Sequence, residues 1–577
     1  MSNLDKDRGS WAPASLSWHD HGIALGIFAL VFALLMATMD IGFTRDESFY
    51  FHAGREYLGW FEELAKHWRA GNLGESFTQA NVDKHWSYNP EHPALMKTLF
   101  GLSLALFHKK LGWLSETTAM RLPTAAMSAW LCSLVFLFGR QLRGRLVGVL
   151  AVGALLLQPR AFFHMHMACF DAPIVAVWFA VVYAYWRSMD SMRWVWFAGL
   201  LWGVALATKL NAFFIPVVLV VHWLAMRWRE IGITKSEEGI QVRAPAIPKA
   251  LIAMALLGPL VFYLHWPRIW FDTFARVKWY MEFHLTHTHY FVYYFGQNLY
   301  TPPFTRAFPW VMTLVTVPLS ILLAFALGAV AWWQERAVYG RVIAWKEALQ
   351  RLSLPDVARD PRGTGGLFLL NIIFPIALIA QPETPIFGGT KHWMTAMPFL
   401  AIVAGWGAVA AARWASELFQ GTPREKLAAT VCAALASLAM LLPAAIQLEH
   451  NHPYGTSYYN ELIGSHRGAA DKKMMRQFWG YAVRGAATWL DENAEPNAKV
   501  WTGNATSWAW SEYQREEIIR KDLRATGLGG SDYAILFHQK SFYARELEIW
   551  SAYKTRAPVY VLELDGVPLV SIYRRRK

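Results

Sequence analysis

The sequence predicts a polytopic α-helical membrane protein with a small α/β domain outside the membrane. Of the 577 residues, 55% are hydrophobic and only 17% are charged, whereas a soluble chain carries about 25% charged residues. Apolar runs long enough to cross about 30 Å of hydrocarbon recur up to residue 446. Residues 447–577 instead carry the alternating and amphipathic patterns of a water-exposed domain. Together these observations exclude an ordinary soluble protein.

The apolar runs predict about eleven membrane-spanning helices. The first is interpreted as a retained span, because no small-residue cleavage site follows it. The spans are placed at roughly 21–40, 120–139, 145–163, 172–186, 194–208, 211–226, 250–265, 309–332, 366–380, 393–412 and 427–446. An odd number of spans puts the two ends of the chain on opposite sides of the membrane.

The basic residues of the connecting segments indicate the orientation, because Lys and Arg are retained on the cytoplasmic side. One set of alternate loops is rich in Arg, whereas 164–171 has no Lys or Arg and 209–210 and 381–392 have one each. The N-terminus is therefore predicted to be cytoplasmic and 447–577 extracytoplasmic. The net charge of +13 then reflects topology, and no nucleic-acid partner is predicted.

This topology leaves three sizeable extracytoplasmic segments, at 41–119, 266–308 and 447–577. In the first, aromatic and apolar residues from Phe49 to Trp68 recur at helical spacing and predict an amphipathic helix in the interface. HPALMKTLFGLSLALFHKK predicts a second interfacial helix. The alternative, an additional span, is disfavoured because it would invert every later loop.

The last segment predicts a separate α/β domain at 447–577 that follows a transmembrane domain at 1–446. It contains a predicted amphipathic helix from about Arg467 to Ala494, strands in AKVWTG and DYAILF, and a helix in YARELEIWSAYK. Two alternating strands around Asp565-Gly566 predict a β-hairpin.

Acidic residues lie at the extracytoplasmic ends of the predicted spans rather than inside them. Asp46 and Glu47 follow the first span, and Asp171 precedes the fourth. An ion-coupled carrier usually places ionisable groups near the membrane midplane, so this distribution disfavours a carrier. Thr44 and Glu47 have the spacing of a helix capping box. A carboxylate held at this boundary can also act as a general base, and the two roles are compatible.

Six short motifs occur in order at the ends of the predicted spans. They are RDE after the first span, HPALMK before the second, CFDAP before the fourth, LATKLN after the fifth, WPRIW after the seventh and GGTKHWMTAMP before the tenth. Together they resemble the polyprenyl-phosphate-sugar glycosyltransferases of the C-type membrane fold, in particular the protein O-mannosyltransferases and the lipid A aminoarabinose transferases. The resemblance covers the membrane part, about three quarters of the chain.

The resemblance implies a role for each matching residue. Asp46 matches the catalytic base, Glu47 completes the acidic pair, and Asp171 matches a second-loop acid. Lys97 and Lys209 match lysines that hold the lipid phosphate, although Pro93-Ala94 replaces the Pro-Pro of the family segment. The weaker candidates for the same phosphate are Arg268, Lys391 and His392. For all these cations the alternative is snorkelling towards the membrane surface.

Several histidines lie beside these motifs. His92, His164 and His166 are candidates for contacts to the substrate. His284, His287 and His289 have a spacing that could bind zinc, but ordinary interfacial histidines are the favoured interpretation. The DxD pair by which some C-type transferases hold a divalent metal is absent from the first loop. No cofactor is therefore predicted to be required, although a divalent metal is possible.

The predicted function is the transfer of a sugar, with inversion, from a polyprenyl-phosphate donor to an extracytoplasmic acceptor. The acceptor would be a protein hydroxyl, lipid A or a cell-envelope glycan, and the predicted location is the bacterial inner membrane. The alternative is a polytopic lipid or solute transporter, or flippase, with an external lid. A non-catalytic scaffold would have no reason to gather Asp46, Asp171, Lys97 and Lys209 around one cavity.

Overall fold

The computed structural model describes residues 14–236, 239–286, 289–340, 360 and 362–576. It confirms the predicted fold class, a helical membrane protein with a small C-terminal sheet domain. Within the described residues, five helices are long and apolar enough to cross a membrane, or up to seven if each of two bent pairs is one span. Every one of the predicted apolar runs coincides with helix, while the number of spans stays a prediction.

Most of the predicted spans form a single continuous helix. The helices that coincide with predicted spans are Trp18–Ala37, Glu116–Arg143, Arg145–Leu156, Pro159–His166, Asp171–Ser188, Met192–Thr208, Ile215–Arg227, Lys249–His265, Phe308–Thr316, Leu319–Gly340, Thr364–Ile379, Met397–Glu417 and Glu425–Asn451. Helix Asp171–Ser188 lies at the centre, because every residue from Asp171 to Trp186 is buried. Asp171, the first residue of this helix, therefore lies at the end of the bundle and is held in place by a fully packed helix.

Two of the predicted straight spans are bent. Arg145–Leu156 and Pro159–His166 meet at 77°, and the helices on either side of Pro318 meet at 111°. In both places the residue before the proline has an extended conformation, because the proline ring disfavours helical geometry there. The first bend turns Pro159–His166 back towards the start of helix Asp171–Ser188.

The predicted interfacial helices of the first loop are present as Arg45–Arg69 and Leu95–Ser103. The capping box is present as predicted. Thr44 Oγ1 accepts from the Glu47 backbone N–H at 3.2 Å, and Glu47 Oε2 accepts from the Thr44 N–H at 3.4 Å. This cap fixes the start of helix Arg45–Arg69 and hence the position of Asp46.

Three β-sheets are present in the described residues. Two are hairpins, formed by β1 and β2 and by β3 and β4. The third has five strands in the order β6-β5-β7-β9-β8 and builds the C-terminal domain. The strands are β1 Gly232–Ser236, β2 Gly239–Arg243, β3 Val292–Tyr294, β4 Gln297–Leu299, β5 Lys499–Trp501, β6 Arg524–Ala525, β7 Tyr533–Phe537, β8 Tyr560–Leu564 and β9 Val567–Arg574.

The C-terminal domain differs from the prediction in one element. Its helices are Ser465–Asp471, Val483–Asn493, Gly503–Arg515 and Tyr543–Tyr553. The single helix predicted from Arg467 to Ala494 is wrong, because a non-helical segment separates the first two of these helices. Lys473, Trp479 and Gly480 have positive φ angles there, and a right-handed helix cannot continue through such residues. The hairpin between β8 and β9 turns at Asp565-Gly566, as predicted.

The C-terminal domain and the first loop share one hydrophobic core. Phe43 and Phe51 of the first loop pack with Tyr513 in this core. The Phe43 N–H donates to Tyr513 Oη at 3.0 Å, and the Arg45 N–H donates to the Trp479 carbonyl at 3.0 Å. These contacts place the segment around Trp479 directly over the start of helix Arg45–Arg69.

Candidate active site

The predicted acids and cations meet at the end of the bundle under the C-terminal domain. Lys209 Nζ lies 2.5 Å from Asp171 Oδ1. Lys391 Nζ lies 3.7 Å from Asp46 Oδ2, and His164 Nδ1 lies 3.8 Å from Asp171 Oδ2. Two carboxylates, two ammonium groups and an imidazole are therefore brought together from four separate parts of the sequence.

Asp46 occupies the second position of helix Arg45–Arg69. Its side chain is 32% exposed, so it is the accessible carboxylate of the group. Helix N-termini favour negative charge, because the unpaired N–H groups of the first turn point towards it. The position therefore keeps an accessible carboxylate rigidly oriented at the mouth of the bundle.

Lys391 lies in a cage of aromatic rings. Its ammonium is 4.1 Å from the ring centroid of Trp479, 5.5 Å from that of Phe387 and 5.6 Å from that of Phe478. The GG pair of the GGTKH motif makes this packing possible. Gly388 has a φ of 81°, and a Cβ on it would lie 2.3 Å from Lys391 Cε. The motif thus positions a largely buried cation beside Asp46.

Asp171 and Lys209 form a largely enclosed ion pair at the mouth. Their side chains are 7% and 18% exposed. Asp171 is the first residue of its helix, where the helix dipole favours a carboxylate. Lys209 follows the last residue of helix Met192–Thr208 in an extended conformation, which directs its side chain away from that helix.

Tyr50 and His92 connect the acids to the rest of the first loop. Tyr50 packs against Phe170 with ring centroids 4.3 Å apart, and His92 packs against Phe170 at 4.9 Å. Burial, Asp46 and Asp171 raise the pKa of Tyr50 well above its usual value. Burial and the nearby lysines 97, 209 and 391 lower the pKa of His92. Tyr50 is therefore a protonated phenol and His92 a neutral imidazole at pH 7.

Lys97 is fully buried. Its Nζ donates to the carbonyls of Asn89 at 2.6 Å and His92 at 2.9 Å, over the ring of Tyr57 at 4.9 Å. Burial lowers the pKa of Lys97 to about 7, against an opposing effect of Glu91. The ammonium is thus held by neutral oxygens and easily loses its proton.

Arg268, from the WPRIW motif, lies near Lys97 and contributes to lowering its pKa. Its Nη1 donates to Ser87 Oγ at 2.9 Å, and its guanidinium lies 5.8 Å from the ring centroid of Trp279. Burial and the neighbouring Arg276 lower the pKa of Arg268. Lys97 and Arg268 therefore form a second cationic group, adjoining the first through His92.

Glu47 has a different environment from its neighbour Asp46. It is fully buried and forms a two-pronged ion pair with Arg121, at 2.7 Å and 2.8 Å. Glu47 Oε1 also accepts from the Ala168 N–H at 2.9 Å. Arg121 in turn donates to the carbonyls of Met39, Ile41 and Gly42. Both oxygens of Glu47 are thus engaged in holding the first loop to the bundle.

Of the remaining predicted histidines, His392 lies beside Lys391 at the mouth, whereas His166 lies between packed helices. His166 bonds to Thr38 Oγ1 at 2.9 Å and to the Phe162 carbonyl at 2.7 Å, so its ring belongs to the packing between helices. His392 bonds to the Phe387 carbonyl. Burial and the neighbouring Lys391 lower its pKa to about 3. His392 is therefore neutral and contributes no positive charge at the mouth.

Within the described residues, the histidines of the HLTHTHY segment do not converge on a zinc site. His284 Nε2 bonds to the Glu91 carbonyl at 2.8 Å, and His289 packs against Phe304. His287 lies outside the described residues. Within the described ranges, the group of three side chains arranged to hold a metal lies elsewhere, in the C-terminal domain.

Three contributors to the site were not predicted from the sequence. Arg121 lies within the predicted span 120–139, and Trp479 lies within the helix predicted from Arg467 to Ala494. Arg160 was assigned to the end of a span, but it donates to the Tyr458 carbonyl at 3.0 Å and 3.1 Å and lies over Tyr459. In the sequence, this contact could have been inferred from Arg160 in the bent helix and from the tyrosines of PYGTSYYN.

Residues 91–263 match the dolichyl-phosphate-mannose-protein mannosyltransferase family. No curated protein matches the chain in sequence. Crystal structures of ArnT from Cupriavidus metallidurans, bound to undecaprenyl phosphate and in the apo state, align over 96% of this chain and 98% of that chain. Both are 13% identical, with TM-scores of 0.44 and 0.46.

A third similar structure is the archaeal oligosaccharyltransferase AglB from Archaeoglobus fulgidus, in complex with an inhibitory peptide and a dolichol-phosphate. It aligns over 88% of this chain and 65% of that chain, with 9% identity and a TM-score of 0.42. The family match spans the HPALMK, CFDAP and LATKLN motifs. It confirms, for residues 91–263, the resemblance to polyprenyl-phosphate-sugar-dependent membrane glycosyltransferases that the motifs indicate.

Proposed function

We propose that the protein transfers a sugar from a polyprenyl-phosphate donor to an acceptor on the extracytoplasmic side of a bacterial inner membrane. The single observation that carries the proposal is the pairing of an accessible carboxylate, Asp46, with a caged cation, Lys391, at 3.7 Å. One group suits the removal of a proton from an acceptor. The other suits the negative charge of a departing phosphate.

In the proposed reaction Asp46 removes the proton from the acceptor hydroxyl or amine. The acceptor atom then forms a bond to the anomeric carbon while the bond from that carbon to the phosphate oxygen breaks. In-line displacement inverts the configuration at the anomeric carbon, and polyprenyl phosphate leaves with the bonding electrons. General bases that act in this way contribute about 10²- to 10⁴-fold to a rate.

The leaving phosphate gains negative charge as the bond breaks. Preorganised cations in a site with little water stabilise such charge better than bulk water does. Lys391 is the favoured contact for the phosphate. Its ammonium lies 3.7 Å from Asp46, whereas that of Lys209 lies 2.5 Å from Asp171, so Lys391 is less tightly paired with a carboxylate. Lys97 and Arg268 form the second cationic group, which we assign to the same phosphate or to the start of its lipid chain.

The alternative function is that of a carrier or flippase, and no contact in the described residues favours it. Some buried polar residues inside the helices are paired with one another, as in the bond from Trp178 to Asn371 at 2.8 Å. Carriers place ionisable groups at the midplane, whereas the candidate acids Asp46 and Asp171 and their cations gather at one end of the bundle. The acceptor, the sugar and the orientation of the bundle are part of the proposal.

The proposal is tested with purified protein in detergent or nanodiscs, incubated with a panel of polyprenyl-phosphate sugars and an extract of cell-envelope acceptors. Release of polyprenyl phosphate and transfer of labelled sugar are measured together. We expect one donor to be consumed and Asp46→Asn to lower its turnover by at least about 10²-fold. The variant should keep the thermal unfolding temperature of the wild type, because Asp46 is partly exposed.

Asp40→Asn is the matched control. Asp40 is 77% exposed and pairs with Arg484 outside the site, so the control should transfer sugar at the wild-type rate. Near-normal turnover by Asp46→Asn would remove Asp46 from the base role. Transport of an intact lipid across the bilayer without sugar release would replace the enzyme by a flippase.

A further inference from the structure

Three potential metal ligands converge at the junction between the last predicted span and the C-terminal domain. They are His450, His466 and Asp565, and their ligand atoms all lie within 4.8 Å of one another. His450 Nε2 is 2.8 Å from Asp565 Oδ1, and His466 Nδ1 is 2.6 Å from Asp565 Oδ2. The group is separate from the candidate active site, and of its three members only Asp565 belongs to a motif singled out in the sequence, as part of the predicted hairpin turn.

Each ligand is held by a different structural element. His450 is in the last turn of helix Glu425–Asn451, and His466 is near the start of helix Ser465–Asp471. Asp565 is at the turn of the hairpin between β8 and β9, with a φ of 53°. The Arg467 Nε donates to the Asp565 carbonyl at 2.6 Å. Arg467 thus binds the backbone of Asp565 and leaves both carboxylate oxygens to the imidazoles.

The donor set determines which ion would fit. Two imidazole nitrogens and one carboxylate oxygen are the ligands that Zn²⁺ takes in sites with an open position, at about 2.0–2.2 Å. Harder cations such as Mg²⁺ and Ca²⁺ prefer sites built from oxygen alone. His466 is 5% exposed, so one ligand is already withdrawn from water. The exposed His450 leaves an open side through which an ion and a completing water can enter.

We propose that His450, His466 and Asp565 bind a Zn²⁺ ion that clips the C-terminal domain to the end of the last predicted span. The ion would tie the tip of the β8–β9 hairpin to helix Glu425–Asn451, and so fix the domain over the mouth. It has no contact with Asp46 or Lys391, and its role is structural. The inference does not depend on the proposed function.

Two variants separate zinc binding from simple hydrogen bonding. In His450→Gln the amide nitrogen takes the place of Nε2, and in His466→Asn it takes the place of Nδ1. Each variant can still donate to Asp565, but an amide is a poor zinc ligand. His452→Gln is the control, because His452 is in the same segment and packs against Phe162 instead.

The experiment uses full-length protein without a histidine tag, stripped with a chelator and then titrated with Zn²⁺ alone. Bound zinc is measured by mass spectrometry, and Co²⁺ is substituted to detect the visible absorption of a tetrahedral site. We expect about one zinc per chain in the wild type and in His452→Gln, and at least about tenfold weaker binding in both ligand variants. Zinc should also raise the unfolding temperature of the wild type and the control only.

Two results would overturn the proposal. One is a wild type that takes up no zinc at micromolar concentration. The other is equal zinc affinity in the wild type and both ligand variants, which would place the ion elsewhere. If one variant does not fold, the second variant and the effect of chelation on the wild-type unfolding temperature still decide between the outcomes.

Discussion

The ammonium of Lys391 lies 4.1 Å from the ring centroid of Trp479. Lys391 precedes helix Met397–Glu417 of the bundle, whereas Trp479 belongs to the C-terminal domain. The contact therefore joins the two parts of the protein at the cation that we assign to the leaving phosphate. It also explains why Trp479 interrupts a segment whose composition predicts helix, since its φ of 72° turns the ring towards the mouth.

Replacing Trp479 by Leu should weaken catalysis without preventing folding. A cation over an aromatic ring gains about 0.5–2 kcal/mol, so we expect kcat/KM to fall by about 2- to 30-fold. Trp479→Phe keeps a ring and should retain most of the activity. Steady-state kinetics with the identified donor measure both. Trp508→Leu is the control, because Trp508 is exposed in the same domain, and an equal loss in that variant would show a general effect on the domain.

Glu47→Gln should destabilise the protein, in contrast to Asp46→Asn. Removing one partner of a buried ion pair costs about 3–5 kcal/mol, because Arg121 would keep its charge without a counter-ion. The thermal unfolding temperature of each purified variant measures the difference. Two neighbouring acids should therefore give opposite results, one losing stability and the other losing turnover. A stable but inactive Glu47→Gln would instead assign Glu47 to the chemistry.

The ion pair between Asp171 and Lys209 should show strong coupling. Lys209→Gln removes the 2.5 Å partner of the buried Asp171, and we expect a loss of about 3 kcal/mol. The double variant Asp171→Asn with Lys209→Gln should recover most of that stability, because it leaves no unpaired charge. It should not recover turnover. Unfolding free energies of the two single variants and the double variant form the cycle, and additive losses would show that the two side chains do not interact.

The pH dependence of donor binding should reflect Lys97. Its pKa is lowered to about 7 from 10.5, so its positive charge disappears as the pH rises through 7. We expect the KM for the donor to increase between pH 6 and 9. Lys97→Arg should remove that increase, because a guanidinium stays charged over this range. A wild-type KM that is constant over this range would exclude Lys97 from the phosphate site.

The lowered pKa of Lys97 also determines how its contribution to stability changes with pH. Between pH 7 and 10.5 the unfolded chain binds the proton of Lys97 more tightly than the folded chain does. The contribution of Lys97 to the free energy of unfolding therefore increases as the pH rises through this window. Free energies of unfolding of the wild type and of Lys97→Met, measured at several pH values, isolate this contribution. The wild type should gain stability relative to the variant as the pH rises.

The helical bundle was predictable because hydrocarbon imposes a length and a composition on each span. The runs that begin near residues 21, 120 and 172 start within one to four residues of the helices that begin at Trp18, Glu116 and Asp171. The bends before Pro159 and Pro318 were not predicted, since each proline lies inside a run that is long and apolar enough for a single span. Hydropathy shows which residues belong to a span, but it does not show where the helix axis changes direction.

The candidate site was predictable to the extent that its residues belong to motifs. Asp46, Asp171, Lys209 and Lys391 were identified in this way, and they lie together. The different roles of Asp46 and Glu47 were not predictable, because the partner of Glu47 is Arg121, which is distant in sequence. Trp479 was missed for a similar reason. Its position depends on a positive φ and on packing against the first loop, and neither leaves a local pattern.

The shared core of the first loop and the C-terminal domain has a consequence for how the protein is made. Phe43 and Phe51 emerge from the ribosome long before Tyr513, which packs with Phe43 in the finished protein. At 5–20 residues per second, the interval is roughly 20 to 90 s. During that time we expect a chaperone or the lipid surface to cover the early apolar patch. Assembly of the mouth is then the last event of biogenesis, completed only after the whole bundle has been inserted.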